Sequence, residues 1–135
     1  MKPSVLIAIQ ARSNSTRFPQ KIYQMIGDKM CLQHVIDQCE SAKFYLERPK
    51  QKNPVSCQIL VVHPESDVQV ISTFKKSASL LGGSEHNVLD RYLKAFDLYQ
   101  PDYIVRITSD CPLILDFIIS KHVYIPYGMS WQNAS

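Results

Sequence analysis

Several features are scarce or missing in this 135-residue chain, and each absence removes a class of function. No two of the four cysteines form a C-x-x-C pair, which argues against a zinc site or a thioredoxin-type centre. The histidines, His34, His63, His86 and His122, are scattered, with no H-x-x-x-H or His-carboxylate cluster to suggest a metal centre or a triad. No apolar window approaches the roughly 20 residues of a membrane helix, and the N-terminus lacks the pattern of a signal peptide. A cytoplasmic protein with no membrane partner is therefore expected. The formal charge of +3 is mild and only Lys43 to Lys52 looks basic, so no nucleic-acid partner is expected either. In a reducing compartment the cysteines read as free thiols, with Cys31 and Cys39 on or beside the apolar face of a helix. Internal repeats and low-complexity tracts are also absent.

What remains is an ordinary globular balance, 45% hydrophobic and 20% charged, in one domain's worth of chain. Val5 to Gln10 reads as a strand whose continuous apolar run suits burial on both faces. Leu32, Val35, Ile36 and Cys39 recur at helical spacing, predicting a helix over roughly 30–43. The polar, proline-bearing stretch Glu47 to Ser56 predicts a surface loop, followed by a strand over Cys57 to His63 that Pro64 ends. Val68, Ile71 and Phe74 suggest a short helix, Ala78 to Leu81 a brief strand, and Gly82-Gly83 a turn. Ser84 is a candidate N-cap for a helix with Val88, Leu89, Tyr92, Leu93, Phe96 and Tyr99 on one stripe. Pro101 stops that helix, Tyr103 to Ile107 forms another strand, and Leu115 to Val123 a last helix. Alternating strands and helices imply an α/β protein with a mostly parallel sheet covered by helices, over residues 1–123. Residues 124–135 form an atypical tail without charge or period.

The chemistry concentrates after the first strand. The loop holds three cations, Arg12, Arg17 and Lys21, three hydroxyls, Ser13, Ser15 and Thr16, and no carboxylate. A polyphosphate needs cations that fork or point at its oxygens and short donors that approach closely. A solvated basic loop would have the same composition. Arg106, in a strand that otherwise looks buried, needs a partner, for which Asp90 or Glu85 is the candidate, or else it points off the sheet end into solvent.

Three segments sharpen this reading. Ile9-Gln-Ala-Arg-Ser-Asn-Ser-Thr-Arg-Phe-Pro-Gln-Lys21 resembles the opening motif of the cytidylyltransferase-like spore coat polysaccharide biosynthesis protein F family, whose relatives include synthetases that activate acidic sugars with CTP. Gly83-Ser-Glu-His-Asn-Val-Leu-Asp-Arg-Tyr92 and Val105-Arg-Ile-Thr-Ser-Asp-Cys-Pro-Leu-Ile114 resemble two further motifs of that family, in the same order. The resemblance implies a three-layer, Rossmann-like nucleotide-diphospho-sugar transferase fold. It implies Arg12 and Lys21 as catalytic residues holding a triphosphate, with Ala11 and Arg12 backbone groups near the base; together with the loop's donors and Arg106, the expected nucleotide-binding residues are Ala11, Arg12, Ser13, Ser15, Arg17, Lys21 and Arg106. Asp110 would be the ligand of a divalent metal, Mg²⁺, and Asp90 and Arg91 would lie near the cleft. The implied partners are CTP and a sugar acceptor. Gln20 and Ser109 stand where the family has Gly, and a serine at 109 would be strained if that position needed positive φ. Family members continue well past the third motif, so the fold is expected to be C-terminally incomplete. The alternatives are an inactive nucleotide-binding remnant acting through protein association, with a homo-oligomer as one form, and a regulatory binder of anionic metabolites.

Overall fold

The computed structural model describes residues 2–14, 20–48 and 55–109. The expected helix over Leu115 to Val123 and the tail over 124–135 lie outside them. Four strands, β1 (Ser4–Gln10), β4 (Ser56–Pro64), β5 (Leu80–Gly83) and β6 (Tyr103–Thr108), form one sheet in the order β5-β4-β1-β6. All of its pairings are parallel. Helices α1 (Cys31–Leu46), α2 (Val68–Phe74) and α3 (Val88–Tyr99) make the connections.

Strand β1 lies between β4 and β6, and every residue from Val5 to Ile9 is buried. Its unbroken apolar run follows from the two faces it must satisfy. Val5, Ile7 and Ile9 pack with Leu32, Val35, Ile36 and Cys39 of α1 and with Val70 and Phe74 of α2. Leu6 and Ala8 pack on the other face with Leu60, Val62, Tyr92 and Ala95. Helices α1 and α2 therefore cover one face and α3 the other, giving the three layers expected. The chain reverses its direction of travel between β1 and β6, where open α/β sheets bind ligands beyond the carboxyl ends of their strands.

Two short strands not anticipated by the sequence pattern, β2 (Met25–Ile26) and β3 (Lys29–Met30), pair antiparallel around Gly27, whose φ of 68° suits a residue without Cβ. They lead into α1, which has no side-chain N-cap; instead the Cys31 amide donates to the Gln24 carbonyl at 2.8 Å. Helix α3 begins later than expected. Its cap is Asn87, whose Oδ1 accepts the Asp90 amide at 3.1 Å, while Ser84 Oγ accepts the Asn87 amide at 3.2 Å. The glycines read as a turn belong to β5. The expected α3 stripe is also turned: Arg91, Tyr92 and Ala95 are buried, whereas Leu89, Leu93 and Phe96 are 64%, 54% and 42% exposed.

Cys39 and Cys57 lie in the core, and burial, the largest cause, pushes both thiols up to about 12. An unfolded chain would release these protons near pH 9, the ordinary thiol value, while the folded chain keeps them. Stability from this source is complete below pH 9 and falls as pH rises towards 12. Each thiol contributes a slope of about 1.4 kcal/mol per pH unit. Urea unfolding between pH 9 and 10, where the unfolded thiol is still titrating, is expected to show a decline that Cys57→Ala makes shallower by about 1 kcal/mol; an unchanged slope in the variant would show that the thiol ionises equally in both states.

Candidate functional site

The loops that follow β1, β4 and β5 emerge at one edge of the sheet, and their backbones set the site. Ala11 extends β1 by one residue, its amide donating to the Val62 carbonyl at 3.0 Å. Arg12 then projects outward and is exposed. Ser13 turns inward and is 5% exposed. Its amide donates to Asp67 Oδ2 at 2.7 Å, its hydroxyl donates to Asp67 Oδ1 at 2.5 Å, and Tyr23 Oη lies 2.6 Å from that hydroxyl. Sequence reasoning offered the Ser13 donors to a phosphate, whereas the fold commits both to Asp67.

Asp67 is the residue that the sequence reading missed. It caps α2, accepting the Val70 amide at 3.4 Å, and it holds the Arg12 loop with the same carboxylate. An aspartate one position before an apolar helical period is a capping signal, but nothing local shows which loop it grips. Tyr23 closes the arrangement by stacking on Phe74 of α2, with ring centroids 6.1 Å apart and planes at 26°. Burial raises the Tyr23 pKa most, the Ser13 hydrogen bond lowers it, and the charge of Asp67 raises it again.

Between these loops lies a cleft of about 420 Å³, lined by Arg12, Asn14, Ser66, Gln69, Glu85 and His86 among others. Ser66 Oγ donates to Glu85 across it. A larger cavity of about 590 Å³ lies at the other edge, where Ser56 and Ser79 mark the start of β4 and the approach to β5. That cavity mixes Glu40, Glu47, Lys43 and Lys76, and it sits away from the carboxyl ends. The smaller cleft is thus the candidate site.

Of the residues expected to act together, Arg12 and Ser13 line the cleft. Lys21 opens the 3-10 turn Lys21–Tyr23, beyond Gln20, which takes the left-handed conformation at φ 63°. Among the described residues only Gln20 and Gln100 are non-glycines at positive φ, so Ser109 does not take the left-handed conformation that would strain a serine. Arg106 stands in mid-strand opposite Ala8, exposed, with its guanidinium 5.7 Å from the Tyr92 ring centroid. Its neighbour is thus an aromatic face instead of Asp90 or Glu85. Arg91, which resemblance placed near the cleft, is buried at 1% exposure. Ser15, Arg17 and Asp110 lie outside the described residues. Among the described residues no three His, Cys, Asp or Glu side chains gather to hold a metal.

A parallel, helix-covered sheet with Arg12 exposed at its carboxyl edge defines an open α/β protein of the kind that binds ligands beyond that edge. The family model for cytidylyltransferase matches residues 6–124, and the chain belongs to that family. It is similar to the spore coat polysaccharide biosynthesis protein SpsF of Bacillus subtilis, 31% identical over 123 residues, which cover 87% of this chain and 49% of that one. A cytidylyltransferase structure from Leptospira borgpetersenii superposes with a TM-score of 0.73 at 36% identity, covering 88% of this chain and 47% of the other. The CMP:2-keto-3-deoxy-manno-octonic acid synthetase solved with CTP shares the fold, with a TM-score of 0.67, 19% identity and coverage of 89% and 46%. The chain thus spans about half the length of these relatives. Among the described residues no helix is long and apolar enough to cross a membrane.

The Asp67 latch makes a definite expectation. Asp67→Ala should lower the unfolding free energy by about 3 kcal/mol or more, since it removes a helix cap and two short hydrogen bonds to a charged acceptor. Amide exchange at Ser13 should accelerate in the same variant. Unchanged protection of Ser13 would show that other contacts hold the loop.

Proposed function

We propose that this chain is the nucleotide-binding half of a cytidylyltransferase that takes CTP and, in the complete protein, transfers the cytidylyl group to a sugar in polysaccharide biosynthesis. The observation that carries the reading is Arg12: an exposed guanidinium, with no ion pair among the described residues, on a latched loop at the carboxyl edge of a family fold. Arg12 forks onto phosphate oxygens and Lys21 adds a second cation from the 3-10 turn. Ala11 presents its backbone beside the nucleotide, and Ser15 and Arg17 belong to the same proposed set of nucleotide-binding residues. An acceptor oxygen attacks the α-phosphorus in line, the bond to the bridging oxygen breaks, and pyrophosphate leaves. Arg12 and Lys21 stabilise the charge that develops on it. Arg106 serves from the strand face that it shares with Tyr92.

A divalent metal, Mg²⁺ at Asp110, belongs to the same proposal; when bound it would offset the negative charge of the phosphate chain. The residues described here act without reference to it: they bind, orient and stabilise. The fold neighbour solved with CTP supports the choice of nucleotide, and the name of the Bacillus subtilis relative supports the pathway class.

A second reading, self-association of a non-catalytic nucleotide-binding chain, is favoured by the exposed Leu89, Leu93 and Phe96 on α3. Light scattering separates it, since a monomer at all concentrations would exclude it.

Calorimetry tests the first reading. CTP with Mg²⁺ is expected to bind more tightly than UTP, GTP or ATP, and Arg12→Ala to weaken CTP binding by about tenfold or more. Absence of binding at millimolar nucleotide would overturn it.

A further inference from the structure

Arg91 is the least expected charge in the molecule. It sits in the first turn of α3, where the helix dipole already disfavours a cation, and it is 1% exposed. Among the described residues it makes no ion pair. Its Nε donates to the Ser84 carbonyl at 2.7 Å and its Nη2 to the Glu85 carbonyl at 2.9 Å, while Nη1 is buried without a partner. Carbonyls satisfy N–H groups without neutralising the charge, so this guanidinium keeps much of its desolvation cost.

The surroundings are shaped to accept it. A Cβ at Gly83 would stand 2.9 Å from Arg91 Cγ and 3.3 Å from its Cα, so the strand end makes room for the Arg91 stem by lacking a side chain. Desolvation is the largest cause lowering the Arg91 pKa, and the charge of Arg12 is the next. Tyr92, Asp67 and Glu85 oppose this; the two carboxylates keep their charge while accepting Ser13, Val70 and Ser66 donors, but neither is paired with Arg91. Two guanidiniums therefore bear on one rim, one exposed and one buried, with no carboxylate paired to either among the described residues.

We propose that Arg91 is the buried counterpart of Arg12 at the cleft: its fork positions the Ser84–Glu85 turn, and its unpaired charge strengthens the hold of this rim on a phosphate chain. The inference rests on the phosphate-binding reading of the Arg12 loop. Arg91 is a positioning residue that acts through the turn and through space, since its own side chain is covered. Binding of an anion removes the mutual repulsion of the two cations, so the ligand is stabilised by a group it does not touch.

The test uses inorganic pyrophosphate without metal, titrated by calorimetry into the full chain, Arg91→Lys and Arg91→Met. Arg91→Met is expected to bind about tenfold more weakly. Arg91→Lys, which keeps the charge but loses the fork, should stay within about threefold, and the difference between the two variants should shrink at high salt. Equal losses in both variants, independent of salt, would mean a purely structural role and overturn the proposal, as would undiminished binding to Arg91→Met or none to the parent chain. If Arg91→Met does not fold, the Nε–H resonance of Arg91 in the isotope-labelled parent chain, assigned with Arg91→Lys, decides. Pyrophosphate should shift it, and an unmoved resonance overturns the proposal. CTP titrated into the same proteins separates the two readings. Equal CTP affinity of parent chain and Arg91→Met would end this inference and leave the cytidylyltransferase reading intact, whereas Arg91-dependent pyrophosphate binding without CTP binding would do the reverse.

Discussion

The arrangement depends on one carboxylate. Asp67 accepts the amide and hydroxyl of Ser13 and the amide of Val70, so it anchors the start of the loop after β1 and begins α2 with the same two oxygens. Hydrogen bonds to a charged acceptor stabilise by about 1.5–3 kcal/mol each, more than neutral ones. The contact closes into a circuit, because α2 carries Phe74, Phe74 stacks on Tyr23, and the Tyr23 hydroxyl returns to Ser13. A loop rich in hydroxyls and cations has little apolar surface with which to fix itself. Here the fixing is done from outside it, and Arg12 can remain exposed on a backbone that is held on both sides.

That division of labour matches where the sheet places its loops. Strand β1 is buried on both faces and flanked by β4 and β6, so its carboxyl end is held by a strand on each side. The residues after β4 supply Asp67, and those after β5 supply Ser84 and Glu85, held by Arg91 from α3. The cleft is thus bordered by three loops, each pinned by a polar contact from a neighbouring element. Preorganisation of this kind lowers the ordering cost of binding a flexible ligand.

How much of this could be read from the chain differs by the range of the interaction. The apolar run of β1 and the spacing of Leu32, Val35, Ile36 and Cys39 report local periodicity against a core, and both elements form where expected. The hairpin of β2 and β3 was not legible because two-residue strands carry no period. Ser84 and Asn87 are both good caps, and only the path of β5 decides between them. Arg91 was hardest to place, since a charged residue next to an aspartate in an amphipathic helix ordinarily faces water. What overrides that preference is Gly83, eight residues earlier, which leaves the space the Arg91 stem fills. For the site, the cationic loop was legible as composition, whereas the Ser13–Asp67 contact spans 54 residues and has no local signature.

Helix α3 joins the site to the rest of the sheet in a way that limits how either can change. Arg91 holds the Ser84 and Glu85 carbonyls, and one turn further Lys94 donates to the Gly82 carbonyl at 2.5 Å, so two cations grip the end of β5. Gly83 lies between these contacts, too close to Arg91 for any side chain. On its other side α3 presents Tyr92 to the Arg106 guanidinium of β6, and burial raises the Tyr92 pKa against the lowering effect of Arg106. A shift of α3 along its axis would therefore disturb the strand end at β5 and the cation over the ring at β6 together. The helix is free to vary only where it touches neither, along Leu89, Leu93 and Phe96, whose apolar surface the described fold leaves uncovered.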